Sequence, residues 1–153
     1  MTTSIDTTTR TSSVRPRRRP RVLVVDDARA ESDFYSTHLR GAGYDVQVAT
    51  DGFEAVARAV AWRPDAIIMD LAAARLDGWE ITRRLKAAAA TREIPVIAVS
   101  SRDLVHAGER ARAAGCAACL AKPIAPETLR AELDRQLGQA RPRPRRRGRA
   151  GRV

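Results

Sequence analysis

Short apolar runs alternate with stretches of helical periodicity through the middle of the chain. The runs are rich in β-branched residues and predict five strands, over residues 22–25, 45–49, 66–69, 95–99 and 117–121. Between and after them apolar residues recur every three or four positions, which predicts five helices, over residues 29–42, 52–61, 78–90, 104–114 and 125–137. The predicted inward face of the first helix comprises Phe34, Tyr35, His38, Leu39 and Ala42.

Several of these strands are apolar on both faces, as in VLVV (22–25) and AIIM (66–69). A strand of this kind needs helices on both sides of its sheet. The sequence therefore predicts an α/β fold of the (βα)5 type, with a doubly wound five-stranded parallel sheet and helices on both faces. In such a sheet, ligands bind at the carboxyl ends of the strands.

Polar residues that could bind a ligand or take part in a reaction follow four of the predicted strands. Asp26 and Asp27 follow the first strand, Asp70 the third and Ser100 the fourth, and Lys122 follows the fifth. Three clustered carboxylates repel each other unless a cation joins them, and Mg²⁺ or Mn²⁺ is suited to such oxygen ligands. One carboxylate could then act as nucleophile toward a phosphoryl group, with the ammonium and hydroxyl stabilising its oxygens. The alternative is a surface ion-pair cluster without chemistry.

The charge distribution separates a central region from two basic ends. The formal net charge is +10, but residues 1–21 hold six Arg and one acid, and residues 138–153 hold seven Arg and no acid. We expect disordered tails over 1–20 and 139–153, and one domain over 21–138. The tails could bind nucleic acid non-specifically through phosphates, dock to an acidic protein, or only aid solubility.

Composition excludes several classes of protein. Aromatic residues make up 4% of the chain, which argues against a base-stacking surface. No apolar run approaches the roughly 20 residues that span a bilayer, and the N-terminus has no secretory apolar segment. Two cysteines do not form a disulfide framework, so we expect a cytoplasmic protein with no membrane association.

Four segments carry a resemblance to a known family: VLVVDD (22–27), IIMDLAAARLDGWE (67–80), PVIAVSS (95–101) and LAKPI (120–124). Together they resemble the receiver domain of bacterial two-component response regulators, of the single-domain chemotaxis type. The resemblance implies a flavodoxin-like fold that accepts phosphate from a phosphohistidine. It places the phosphoacceptor at Asp70.

The same resemblance assigns roles to the other strand-end residues. Asp26 and Asp27 match the acidic pair that binds Mg²⁺ with Asp70, and the backbone carbonyl of Ala72 matches a further ligand. Ser100 matches the hydroxyl that bonds the phosphoryl group. Lys122 matches the family's lysine, and its bond to Pro123 would be the family's cis peptide.

The chain also departs from the family pattern. Ala73-Ala74 stand where a Met-Pro pair is usual, and Cys119 stands where an aromatic residue usually swings inward on phosphorylation. Cys116 and Cys119 form a CxxC pair, but it follows a helix-ending glycine and enters a strand, which favours two inert cysteines over a redox motif.

We interpret the chain as a stand-alone receiver that catalyses only its own aspartyl phosphorylation and dephosphorylation. Its expected partners are a sensor histidine kinase or a histidine phosphotransfer protein, and an unknown output protein or a second copy in a homodimer. The alternative is a nucleic-acid-associated protein that uses its basic tails, with the receiver as a scaffold or as a pseudo-receiver that no longer takes phosphate.

Overall fold

The computed structural model describes residues 18–71, 77–101 and 104–139. Within them five strands and five helices alternate: β1 (Arg21–Val25), α1 (Arg29–Gly41), β2 (Asp45–Ala49), α2 (Gly52–Trp62), β3 (Ala66–Asp70), α3 (Gly78–Ala87), β4 (Val96–Ser100), α4 (Leu104–Ala114), β5 (Ala118–Ala121) and α5 (Pro126–Gln139). In this part of the chain, every helix is too short or too polar to cross a membrane. The predicted tails lie outside the described residues except for 18–20 and Gln139, so the domain boundaries stay a prediction.

All five strands are parallel and lie in the order β2-β1-β3-β4-β5. The order reverses between β1 and β3, so the carboxyl ends of these strands flank the switch point of the sheet. The predicted (βα)5 sheet with helices on both faces is therefore confirmed.

Helices cover both faces because the central strands are apolar on both sides. Every residue of β3 and β4 is buried. On one face Leu39 of α1 and Leu129 and Leu133 of α5 pack against β1, β3 and β4. On the other face Ala55 of α2 and Leu85 of α3 belong to a second cluster. The two layers fix the sheet in the interior and leave its carboxyl edge open for a site.

The helices α2 and α3 begin at aspartate caps, as their sequences favour. The carboxylate of Asp51 accepts a hydrogen bond from the Glu54 backbone N–H at 2.7 Å, and that of Asp77 accepts one from Glu80 at 3.2 Å. Gly78 follows the second cap. A Cβ there would lie 3.0 Å from the backbone oxygen of Asp70, so glycine lets α3 approach the end of β3 closely.

The structure corrects the predicted inward face of α1. Phe34 is 49% exposed and His38 is exposed, whereas Ser32 and Ser36 are buried beside Tyr35 and Leu39. The two small serines therefore share the buried face with Tyr35 and Leu39, and Phe34 and His38 lie outside it. The buried residues still recur at helical spacing, but a search for apolar residues alone finds Tyr35 and Leu39, wrongly includes Phe34 and misses the two serines.

The structure also shortens the predicted helix 78–90, because α3 ends at Ala87. Ala88 leaves the helical conformation with a ψ of 131°. The hydroxyl of Thr91 then donates a hydrogen bond to the carbonyl of Leu85 at 2.6 Å, and the Lys86 ammonium donates one to the carbonyl of Ile94 at 2.6 Å. These bonds satisfy helix-terminal and loop carbonyls and form the turn that leads into β4.

Candidate phosphoryl and metal site

Four neighbouring strands position the predicted site residues at one edge of the sheet. Asp26 comes directly after β1, Asp70 is the last residue of β3, and Ser100 is the last residue of β4. Lys122 comes directly after β5, and its backbone N–H donates to the carbonyl of Ser100 at 2.9 Å. Parallel strands end at the same edge, so the alternating sequence pattern is enough to bring these residues together.

The three aspartates form a compact cluster. One carboxylate oxygen from each of Asp26, Asp27 and Asp70 lies within 4.8 Å of the others. Asp26 and Asp70 are buried, and Asp27 is half-buried. The predicted carbonyl ligand at Ala72, and the pair Ala73-Ala74, lie outside the described residues. The cluster is spaced so that one small cation could contact all three side chains.

Burial dominates the electrostatics of Asp26. It raises the pKa of Asp26 to about 7, against the opposing effect of a hydrogen bond that the Ala28 backbone N–H donates to the carboxylate at 2.8 Å. The negative charge of Asp70 adds to the increase, and the positive charge of Lys122 reduces it. In the absence of a metal ion, Asp26 therefore takes up a proton much more readily than an ordinary aspartate.

Lys122 supplies positive charge at the edge of this cluster. Its ammonium donates a hydrogen bond to Asp70 Oδ2 at 2.9 Å and another to Glu31 Oε2 at 2.5 Å. Burial alone would lower the pKa of Lys122, but these two hydrogen bonds and the charges of Asp70 and Asp26 raise it above its ordinary value. The lysine is thus held in its charged form. Its peptide bond to Pro123 is cis, as the resemblance implied.

Glu31 is the site residue that the sequence analysis missed. It lies in the first turn of α1 and reaches Lys122, which is 91 positions away in the chain. An acid in a first helical turn is common, because it interacts favourably with the helix dipole. The sequence pattern carries no signal for the contact with Lys122, because that contact depends on how α1 packs beside the end of β5.

The CxxC cysteines do not belong to the acidic cluster of Asp26, Asp27 and Asp70. Burial raises the pKa of the Cys116 thiol to about 11, and burial also raises the pKa of the half-buried Cys119 thiol. Both thiols are therefore held in the protonated, weakly nucleophilic form at neutral pH, which favours the interpretation of two inert cysteines.

Taken together, the edge of the sheet holds four carboxylates, one ammonium and one hydroxyl. The acids outnumber the lysine, which favours binding of an added cation. Asp70 belongs to the acidic triad, and its carboxylate also accepts a hydrogen bond from the lysine. This arrangement can bind a divalent ion and present one carboxylate oxygen to an electrophile with an ammonium beside it.

Comparison with known proteins supports this chemistry. The family model described as "Response regulator receiver domain" matches residues 22–134. The chain is 36% identical over 114 residues to the DNA-binding dual master transcriptional regulator RpaA of Synechocystis sp., covering 74% of this chain and 47% of that protein. It is 36% identical over 122 residues to the response regulator MprA of Mycobacterium tuberculosis, covering 80% and 52%. The chain thus spans about half the length of the curated relatives it matches.

Solved structures agree with the sequence comparison. The chemotaxis response regulator CheY4 of Vibrio cholerae aligns with a TM-score of 0.72 and 31% identity, over 77% of this chain and 98% of that one. The receiver domain of the sensor histidine kinase PA1611 from Pseudomonas aeruginosa, which has a magnesium ion coordinated in its active site cleft, aligns with a TM-score of 0.72 and 34% identity, over 78% and 98%.

Proposed function

The chain belongs to the response regulator receiver family, which serves as phosphoacceptor in two-component signalling, and on this premise we propose that Asp70 is the residue that accepts the phosphoryl group. The observation that supports Asp70 most directly is that it belongs to the acidic triad and also forms an ion pair with Lys122. The protein is a signalling switch and not a classical enzyme. We propose that its phosphoryl donor is a sensor histidine kinase or a histidine phosphotransfer protein.

The transfer needs one new bond and one broken bond. An oxygen of Asp70 bonds to the phosphorus of the donor phosphohistidine, the phosphorus–nitrogen bond breaks, and the imidazole leaves with the electron pair and takes up a proton. Lys122 lies 2.9 Å from an oxygen of Asp70, where its charge can stabilise negative charge on the phosphoryl oxygens. We assign to the hydroxyl of Ser100 a hydrogen bond to one of these oxygens.

The donor set fits a magnesium ion, or manganese in its place. Asp26, Asp27 and Asp70 offer three oxygen ligands within 4.8 Å of one another, and Asp26 and Asp70 are buried, where an added cation would offset the cost of holding their charges. We propose that these three side chains hold the ion, with the carbonyl of Ala72 as a further ligand. When bound, the ion supplies charge neutralisation for the carboxylates and the incoming phosphoryl oxygens.

The alternative functions receive less support. A pseudo-receiver would be expected to lack part of the acceptor site, whereas this chain retains the acidic triad, the lysine and the hydroxyl. A nucleic-acid-associated scaffold rests on the basic ends, of which the structure describes only residues 18–21 and 138–139. We propose a cytoplasmic switch that signals by docking to an output protein or by dimerisation, and contact of the arginine-rich ends with nucleic acid stays a separate prediction.

Intact-mass measurement tests the assignment of Asp70. The full chain is incubated with Mg²⁺ and a small acyl phosphate donor, and we expect an adduct of about 80 Da. Asp70→Asn removes the nucleophile and should abolish the adduct, whereas Asp33→Asn, which neutralises an exposed aspartate of α1, should retain it. Absence of the adduct in the unmodified chain, or its persistence in Asp70→Asn, would contradict the proposal.

A further inference from the structure

Lys122 is shared between two carboxylates that come from different parts of the fold. Asp70 extends from β3 and Glu31 from the first turn of α1, and their oxygens lie 2.9 Å and 2.5 Å from the ammonium. The Lys122 side chain is 14% exposed, so its charge is poorly hydrated, whereas the Glu31 side chain is 45% exposed. Glu31 is thus the solvent-facing partner of a largely buried cation.

Phosphorylation of Asp70 would increase the negative charge that Lys122 faces. A phosphoryl group carries a charge of about −1.5 to −2, and it would stand where the Asp70 carboxylate now carries −1. Lys122 would then face a stronger anion on one side and the unchanged Glu31 carboxylate on the other. If the ammonium moves toward the phosphoryl group, Glu31 loses its partner. If it stays, Glu31 and the phosphoryl group repel each other across it.

In both outcomes Glu31 shifts the equilibrium in the same direction, because its negative charge favours the unphosphorylated site. We propose that Glu31 is a positioning residue that holds Lys122 toward α1 and thereby opposes occupation of the site by a phosphoryl group. This inference rests on the proposed function of Asp70. It adds to the acceptor site an acid that sets how strongly the site retains the phosphoryl group.

A role for Glu31 in the helix alone makes a different prediction. An acid in the first turn stabilises a helix through the dipole, and this effect does not depend on Lys122. Asp33 provides the matched control, since it is an exposed acid two residues farther along α1 and its neutralisation removes the same charge. The two explanations therefore separate when Glu31→Gln is compared with Asp33→Asn and with variants of Lys122.

The test measures an equilibrium at the site and not a turnover. Beryllofluoride, a tetrahedral mimic of a phosphoryl group bonded to a carboxylate, is titrated into the full chain by calorimetry at saturating Mg²⁺. We expect Glu31→Gln to bind the mimic about two- to fivefold more tightly than the unmodified chain, as expected for loss of a partly exposed ion pair. The gain should shrink at high salt because exposed charges are screened. Asp33→Asn should bind as the unmodified chain does.

A double-mutant cycle assigns the effect to Lys122. In a Lys122→Met background, Glu31→Gln should leave the affinity for the mimic unchanged, apart from the small effect seen in Asp33→Asn. Should that background bind too weakly to measure, the same cycle is followed by urea unfolding of the metal-free chain, where Glu31→Gln should lower the midpoint more when Lys122 is present than in the Lys122→Met background, in which only the helix-dipole effect remains.

Several results would overturn the inference. Unchanged or weaker binding in Glu31→Gln, an equal gain in Asp33→Asn, or a gain that survives in Lys122→Met each contradicts it. If the unmodified chain takes up the phosphoryl group on Asp70 while one of these results is found, only the role of Glu31 fails. If the unmodified chain accepts neither the phosphoryl group nor the mimic, the proposed function fails and this inference fails with it.

Discussion

Protons and the metal ion should compete at Asp26, and its raised pKa determines how strongly the Mg²⁺ affinity depends on pH. With a pKa of about 7, Asp26 is about nine-tenths protonated at pH 6 and about one-tenth at pH 8. A metal ligand must be deprotonated, so the proton has to leave before this carboxylate can coordinate. We expect the apparent affinity for Mg²⁺ to rise about tenfold between pH 6 and pH 8. An aspartate with its ordinary pKa near 3.8 would give no change over this range.

Calorimetry in two buffers of different ionisation enthalpy measures both the affinity and the protons released. Binding of Mg²⁺ should release about 0.9 proton at pH 6 and about 0.1 proton at pH 8. Asp26→Asn should bind more weakly, with little pH dependence, because the titrating ligand is gone. An affinity that is flat between pH 6 and pH 8, or binding without proton release at pH 6, would refute the argument from burial.

The same shift predicts how the metal-free protein responds to pH. The folded chain keeps a proton on Asp26 up to pH about 7, whereas the unfolded chain loses it near pH 4. This contribution to stability is therefore fully present below pH 4 and is lost as the pH rises through 7, by at most about 4 kcal/mol. Saturating Mg²⁺ should restore stability most at pH 8, which urea unfolding with and without the ion will show.

Two further predictions concern α1 and the approach of α3 to the site. The hydroxyl of Ser36 is buried without a hydrogen-bond partner among the described residues, so Ser36→Ala should raise the free energy of unfolding by about 1 kcal/mol. Ser32→Ala, which removes a hydrogen-bonded hydroxyl, should not raise it. Urea unfolding tests both variants through the midpoint, with the slope unchanged. Gly78→Ala places a Cβ 3.0 Å from the backbone oxygen of Asp70 and 3.2 Å from Cα of Leu71. It should lower the free energy of unfolding by about 1–3 kcal/mol and slow phosphorylation. An unchanged free energy of unfolding together with an unchanged phosphorylation rate would contradict the close packing.

The sequence could predict the strand-end residues of this site because topology alone brings them together. Asp26, Asp70 and Lys122 each end an apolar run, and a parallel sheet places such ends on one edge whatever the details of packing. The strand bounds differ from the prediction by about one residue, which does not change the side of the sheet on which a strand ends.

Features that depend on close packing between helices and the sheet were not predictable in the same way. The predicted buried face of α1 was correct for Tyr35 and Leu39 but missed Ser32 and Ser36, because small polar residues give no hydrophobic signal. The contact of Glu31 with Lys122 was missed for a related reason. It requires the distance and rotation of α1 relative to β5, which periodicity within one helix does not contain.

The charges of the site respond to two separate controls. The pKa of Asp26 is determined mainly by burial, the Ala28 N–H, Asp70 and Lys122. Glu31 is not among these largest effects. Glu31 instead contacts the lysine directly, with its carboxylate oxygen 2.5 Å from the ammonium. Glu31→Gln should therefore tighten binding of the phosphoryl mimic while leaving the midpoint of the Mg²⁺ affinity profile near pH 7. A midpoint displaced by a full pH unit in this variant would mean that the two controls are one, and that Lys122 transmits the charge of Glu31 to Asp26.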